Sequence, residues 1–231
     1  MTTQTPNVIF ENQDMLVIDK PAGLLSVPDG YDPQLPHLRS LLEPIYGSLW
    51  MVHRLDKETS GAMVIARNSN AHRILNESFK KRDTSKIYHC LVFPAPDWRS
   101  KDLQLPLRVN ADRKHRTRVD EKHGKPARSI CEVKRHLNSG ALIEIKILTG
   151  ITHQIRAHLR EINLAILGDA LYSAGLPEPP IDVTRMMLHA RSLSFPDPIT
   201  GEILTFSVNY PDDFRQAYQM LKLPTNLDEV F

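Results

Sequence analysis

Between Ala141 and Leu148 the sequence sets Ile143, Ile145 and Ile147 against Glu144 and Lys146. A period of two puts alternate side chains on opposite faces of an extended chain, so the stretch predicts a strand with one apolar face. Such a strand needs partners, and several segments qualify. Val8 to Phe10 and Met15 to Ile18, separated by Glu11-Asn12-Gln13-Asp14, form a hairpin-like start. Ala62 to Ala66 and Ile87 to Phe93 follow, and Met187 to Phe195 and Ile203 to Val208 flank a Pro-containing turn. Helical spacing is rarer. Ala71, Ile74, Leu75, Ser78 and Phe79 predict an amphipathic helix, with a short helix near Leu38 to Glu43. After Thr149-Gly150 a further helix is expected, with Ile151, Ile155, Leu159 and Ile162 on one face and His153, Arg156 and Arg160 on another. Strands outnumber helices without alternating regularly with them. The fold class expected is α+β, with a largely antiparallel mixed sheet flanked by helices and loops.

No repeat, low-complexity segment or linker divides the chain, so a single domain over residues 1–231 is expected, its core spanning about 8–214. Residues 94–128 are polar and Pro-punctuated and read as extended loops or hairpins; Thr225 to Phe231 reads as a frayed tail. At 231 residues and 41% hydrophobic composition the chain can bury a sizeable core. A formal net charge of +2 does not by itself point to a polyanion, so any such partner must be argued from where the charges sit. Cys90 and Cys131 each fall in a strand-like stretch and are expected to be buried, reduced thiols. No apolar run approaches bilayer-spanning length, and Met1 to Phe10 lacks the pattern of a signal peptide. A cytoplasmic setting without a membrane partner is the expectation.

The richest chemistry lies in His53-Arg54-Leu55-Asp56-Lys57-Glu58-Thr59-Ser60-Gly61, immediately before the strand Ala62 to Ala66. Strand ends are where sites form, and the cations around Asp56 favour a charged carboxylate. Thr59, Ser60 and Gly61 have the composition of a tight turn that would hold the loop. On local composition alone, the simpler reading is a turn-capping Asp56 beside a solvated Arg54.

Taken whole, His53 to Gly61 resembles the catalytic motif of the RluA family of pseudouridine synthases, written HRLD, two free positions, then TSG. Lys20-Pro21-Ala22-Gly23 resembles that family's early KPxG motif, and Leu148 to His158 its late TGRxHQIRxH segment. Leu167-Gly168-Asp169 with Tyr172, and Leu188-His189-Ala190 with Leu193 and Phe195, extend the similarity over about Val8 to Phe214. Two positions depart from the pattern: Ile151 stands where Arg is usual, and Asp197-Pro198 where HP is usual. The first is expected to remove a backbone or RNA contact, the second to be structural.

The resemblance implies a pseudouridine synthase fold and an enzyme that isomerises uridines in ribosomal RNA, transfer RNA or both. It assigns Asp56 as the essential carboxylate, Arg156 as its expected ionic partner, and Tyr88 as the ring that stacks on the target uracil. Arg54 would steady the flipped nucleotide. Lys20 and His53 join it in the set expected to face RNA, although His53 also reads as a packing and hydrogen-bonding residue. Lys80 and Lys81 end a predicted helix, where cations are also favoured on electrostatic grounds. Arg113, Lys114, Arg116 and Arg118 lie in a basic stretch. Such runs are usually solvated faces; beside an RNA-directed site they are expected to track phosphates. His153 and His158 are five apart rather than four, and no Gly-rich phosphate loop is present, so neither metal nor cofactor is expected. The KPAG motif starts by residue 20, leaving no room ahead of it for an S4-type RNA-binding domain, and a monomer is expected. Two other functions remain open on the residues: an RNA-binding protein without catalysis, and a glycosidase pairing Asp56 with Glu58.

Overall fold

Strand β4 (Ser60–Ala66) is buried along its whole length, which suits its unbroken run of small and apolar side chains. The computed structural model describes residues 5–222. In chain order the elements before and after β4 are β1 (Asn7–Glu11), β2 (Met15–Lys20), α1 (Leu38–Tyr46), β3 (Trp50–Met51), then α2 (Ser69–Lys81), β5 (Ser85–Phe93), β6 (Ser100–Leu103), β7 (Leu107–Arg108) and β8 (Arg118–Val119). They continue with β9 (Ser129–Leu137), β10 (Gly140–Ile147), α3 (Gln154–Glu161), β11 (Ala165–Ile166), β12 (Leu188–Pro196), β13 (Ile203–Ser207) and α4 (Asp212–Lys222). The α+β expectation holds, and the pairs β1–β2, β2–β4, β9–β10 and β12–β13 are all antiparallel. The expected frayed tail falls outside the described residues.

The described residues form two compact units, 5–86 with 190–209 and 87–189 with 210–222. In the first, the strand order is β1-β2-β4-β12, with β3 beside β4 and β13 beside β12. Met15 pairs with Ala66 and Lys20 with Gly61, so the polar end of β2 lies opposite the start of β4. One face of this sheet packs Met15, Val17, Ala62, Val64 and Ala66 with Ala71 and Leu75 of α2. Asn68 caps α2 by accepting from the Ala71 amide at 2.8 Å, and the left-handed Arg82 closes its other end.

In the second unit the order is β5-β10-β9-β6, with β11 beside β5 and β7–β8 as a separate pair. Ile143, Ile145 and Ile147 are buried, as their alternation requires, while Glu144 and Lys146 are not. Both cysteines are buried free thiols, and burial holds Cys131 up at about 12. The helix expected from Ile151 starts at Gln154 instead. His153 is its N-cap with φ 55°, a left-handed conformation that breaks the helical run, so His153 does not share a helix face with Arg156. Helix α4 carried no expectation. It packs Phe214, Ala217 and Leu221 into a cluster with Leu91, Leu137 and Met187.

Candidate active site

Asp56 sits half-buried in the loop between β3 and β4, and the chain on either side of it is tied to the segment that follows β2. Leu55, just before it, donates its amide to Ser26 Oγ at 3.1 Å and accepts from the same hydroxyl on its carbonyl at 2.8 Å. Lys57, just after it, accepts on its carbonyl from the Gly23 amide at 2.8 Å and from Lys20 Nζ at 3.1 Å. The Thr59 amide then closes the turn on the Asp56 carbonyl at 3.1 Å. Gly23 has φ +82°, a conformation that lets its amide reach Lys57. The early K-P-A-G motif is thus a brace for the loop that carries Asp56.

That finding corrects the placement of Lys20. It is fully buried, and its ammonium also donates to the carbonyls of Pro21 at 2.8 Å and Leu24 at 2.7 Å. A buried cation capped by backbone carbonyls holds structure and does not present its charge to RNA. His53 is corrected in the same direction. Its Nε2 accepts from the Val64 amide at 3.0 Å and its ring stacks on Phe79 at 4.7 Å. Burial, reinforced by the charge of Lys86, pushes its pKa down to about 3, so the ring is a neutral spacer and not a cation for phosphate. Arg54, between these anchors, is exposed.

Ser60 and Gly61 belong to β4, so the turn ends at Thr59. Gly61, at φ +122°, lies so close to β12 that a Cβ there would stand 2.3 Å from the carbonyl oxygen of Ala190. The glycine of T-S-G is therefore required by a close approach of two backbones.

In the second unit, Tyr88 is 8% exposed on β5. Arg156, on α3, makes a two-pronged pair with Asp169: Nε to Oδ2 and Nη2 to Oδ1, both at 2.7 Å. Asp169 is buried and also accepts the amides of Leu171 and Tyr172, each at 3.2 Å. The guanidinium lies 4.8 Å over the Tyr172 ring, whose hydroxyl accepts from the Thr117 amide at 2.8 Å. Asp169 and Tyr172 were visible in the sequence only as parts of a motif; the structure makes them the support of Arg156. Gln154 locks the turn before α3. It donates to the Arg128 carbonyl and Ser129 Oγ, and accepts from Thr149 Oγ1 and the Ile151 amide. Ile151 itself gives its amide to Gln154, and its side chain packs against the cluster of Leu107, Ala127, Ala157 and Tyr172. Asp197 caps the β12–β13 turn through the amides of Ile199 and Thr200, the structural role expected of it.

The basic stretch is less uniform than its composition suggests. Arg116 and Arg118 share Oδ2 of Asp112 at 2.7 and 2.9 Å, which neutralises part of the run. Arg113 and Lys114 are exposed, with no carboxylate paired to them among the described residues. Lys80 and Lys81 are exposed in the last turn of α2, Lys81 standing 3.5 Å from Glu77.

Residues 14–161 match the family described as RNA pseudouridylate synthase. The chain belongs to the RNA pseudouridylate synthase family. It is 33% identical over 209 residues to the dual-specificity RNA pseudouridine synthase RluA of Haemophilus influenzae, covering 90% of this chain and 94% of that one. It is 36% identical over 235 residues to an uncharacterized RNA pseudouridine synthase of Aquifex aeolicus, covering 94% of this chain and 73% of the relative. Human RNA pseudouridylate synthase domain containing 4 superposes with a TM-score of 0.76 at 25% identity, covering 94% and 93% of the two chains. The pseudouridine synthase fold and the isomerase activity on RNA follow from this membership. Within the synthase, two groups of residues are brought together: the motif residues Lys20 and Gly23, with Ser26, around the Asp56 loop, and His153, Asp169 and Tyr172 around Arg156.

Proposed function

We propose that this synthase acts on uridines of ribosomal RNA, transfer RNA or both, with the carboxylate of Asp56 working at the ribose. The observation that carries the reading is the brace: Leu55 and Lys57, on either side of Asp56, are held by Ser26, Gly23 and Lys20. The reaction breaks the bond from N1 to C1′, turns the uracil, and joins C5 to C1′. C5 loses its proton and N1 gains one, so product and substrate are isomers. A carboxylate beside the sugar can attack C1′, stabilise an oxocarbenium-like centre, or take the C2′ proton. Each route depends on placing that carboxylate to within a fraction of an ångström, and a braced loop supplies such placement.

The target nucleotide has to leave its stack to be turned. Tyr88 receives the uracil against its ring, Arg54 steadies the displaced nucleotide, and Arg156 serves the same chemistry by its motif. Arg113, Lys114, Lys80 and Lys81 engage phosphates along the strand. The dual specificity in the name of the Haemophilus influenzae relative supports considering both RNA classes. The protein works as a cytoplasmic monomer without a cofactor.

The test is tritium release from RNA transcribed with uridine labelled at C5, using ribosomal and transfer RNA transcripts. Native protein should release label and Asp56→Asn should not, with both binding RNA equally. If neither releases label while both bind, the protein is an RNA-binding module and the reading fails.

A further inference from the structure

Lys86, the second residue of β5, stands in surroundings that do not satisfy a lysine. Its side chain is half-buried, and its ammonium lies 5.7 Å from the centroid of the Phe79 ring. The same ring is stacked by His53, the first residue of H-R-L-D, and His53 feels the Lys86 charge. Lys86 therefore stands against the segment that leads into Asp56. Among the described residues no carboxylate, carbonyl or hydroxyl comes within bonding distance of its ammonium. The charge acting on it most is a like one, that of exposed Arg82 at the end of α2. Glu77, an acid of the same helix, is engaged by Lys81.

A partly desolvated cation beside a second cation is unfavourable in the free protein, and an anion at that point would relieve it. Burial and Arg82 together already hold the Lys86 pKa below its usual value, the direction expected of an ammonium lacking a counter-charge. RNA carries an anion at every linkage, and exposed Lys80 and Lys81 add positive charge to the last turn of the helix that Arg82 closes. We propose that Lys86, with Arg82, binds a phosphodiester next to the nucleotide presented to Asp56, and so positions the substrate without taking part in the chemistry. The inference rests on the RNA-isomerising reading for the identity of its anion. The competing role is structural: the lysine stem covers Phe79 and its charge simply reaches solvent.

Binding of a transfer RNA transcript is measured against salt for native protein, Lys86→Gln, Lys86→Arg and Arg82→Gln, alongside tritium release at saturating RNA. One lost phosphate contact should weaken binding by about tenfold and lower the salt slope by about one. Lys86→Gln should show both effects while its saturated rate stays within about threefold of native, and Lys86→Arg should restore the slope. Arg82→Gln, on the surface, should lower the slope without changing stability. A native slope in Lys86→Gln, with only its thermal stability reduced, overturns the proposal. If Lys86→Gln does not fold, a native slope in Arg82→Gln overturns it instead. Because the readout is binding, the two readings fail separately. Slope changes without any tritium release would uphold Lys86 as a phosphate ligand and reject the isomerase reading for the RNA tested.

Discussion

Lys20, buried in the first motif, donates its ammonium to the carbonyl of Lys57, the residue that follows Asp56, at 3.1 Å. Two motifs 37 residues apart in sequence are joined by this bond, and its strength is that of a charge-assisted one. Lys20→Met should keep the stem's packing while orphaning the carbonyls of Pro21 and Leu24 and leaving that of Lys57 with the Gly23 amide alone. We expect a loss of about 2–4 kcal/mol in stability, from a few charge-assisted bonds of about 1.5–3 kcal/mol each with partial relaxation. With the loop less restrained, the saturated rate of tritium release should fall more than RNA affinity does. A variant of native stability whose only defect is weaker RNA binding would return Lys20 to the RNA-contacting set.

Gly61 tests the same loop from its other side. Its φ of +122° and the 2.3 Å approach of a notional Cβ to the Ala190 carbonyl leave no space for alanine, and the obstacle is backbone. Gly61→Ala should cost at least about 3 kcal/mol or fail to accumulate as folded protein. Gly23→Ala meets nothing within 4 Å and carries only the strain of φ +82°, so a loss of about 1–2 kcal/mol is expected. Urea denaturation of both variants gives the comparison. Equal losses would mean that conformational strain, not the contact with Ala190, governs Gly61.

These contacts mark the boundary of what the sequence made legible. Period-two alternation located β10, and unbroken apolar character located β4, because burial of a strand face leaves a periodic trace. The start of α3 was misplaced because Ile151, Ile155 and Leu159 have helical spacing, whereas a left-handed His153 leaves no periodic trace. Lys20 read as an RNA contact because nothing local distinguishes a buried, carbonyl-capped lysine from a solvated one. Asp169 was missed as the partner of Arg156 because a bidentate pair 13 residues apart depends on tertiary placement. Arg116 and Arg118 looked like free charge because counting a basic run does not reveal that both reach Asp112.

Asp169 is the most buried carboxylate in an ion pair with a described partner, its side chain 1% exposed against 11% for Arg156. Asp169→Asn keeps the shape and removes the charge, so the half-buried guanidinium loses the anion that it meets through two parallel bonds. Breaking one side of such a pair costs about 3–5 kcal/mol, and the amides of Leu171 and Tyr172 lose an anionic acceptor as well. The saturated isomerisation rate should fall along with stability. Arg156→Lys should not rescue it, since an ammonium cannot make the two parallel bonds of the guanidinium. A native melting temperature for Asp169→Asn would show that the pair contributes no net stability.

Two groups of the first unit respond to pH with opposite sign. Burial, with the charge of Lys86, holds His53 at about 3 against an ordinary 6.5. Its folded pKa is depressed, so its contribution is intact above about pH 6.5 and is lost as pH falls toward 3, because the unfolded chain takes up a proton that the folded ring refuses. Burial raises the Asp19 carboxyl from 3.8 to about 6, with Lys20 opposing the shift. Its folded pKa is elevated, so its contribution is present below about 3.8 and lost as pH rises through 6. Asp19→Asn should therefore stabilise the protein above about pH 7, by on the order of 2 kcal/mol, and give no gain near pH 4. His53→Gln should be less stable than native near neutrality, with a deficit that shrinks steadily between about pH 6.5 and 4. Urea midpoints of native, Asp19→Asn and His53→Gln across that range decide the matter. A His53→Gln curve parallel to native at every pH would mean that the ring is not held neutral by the fold.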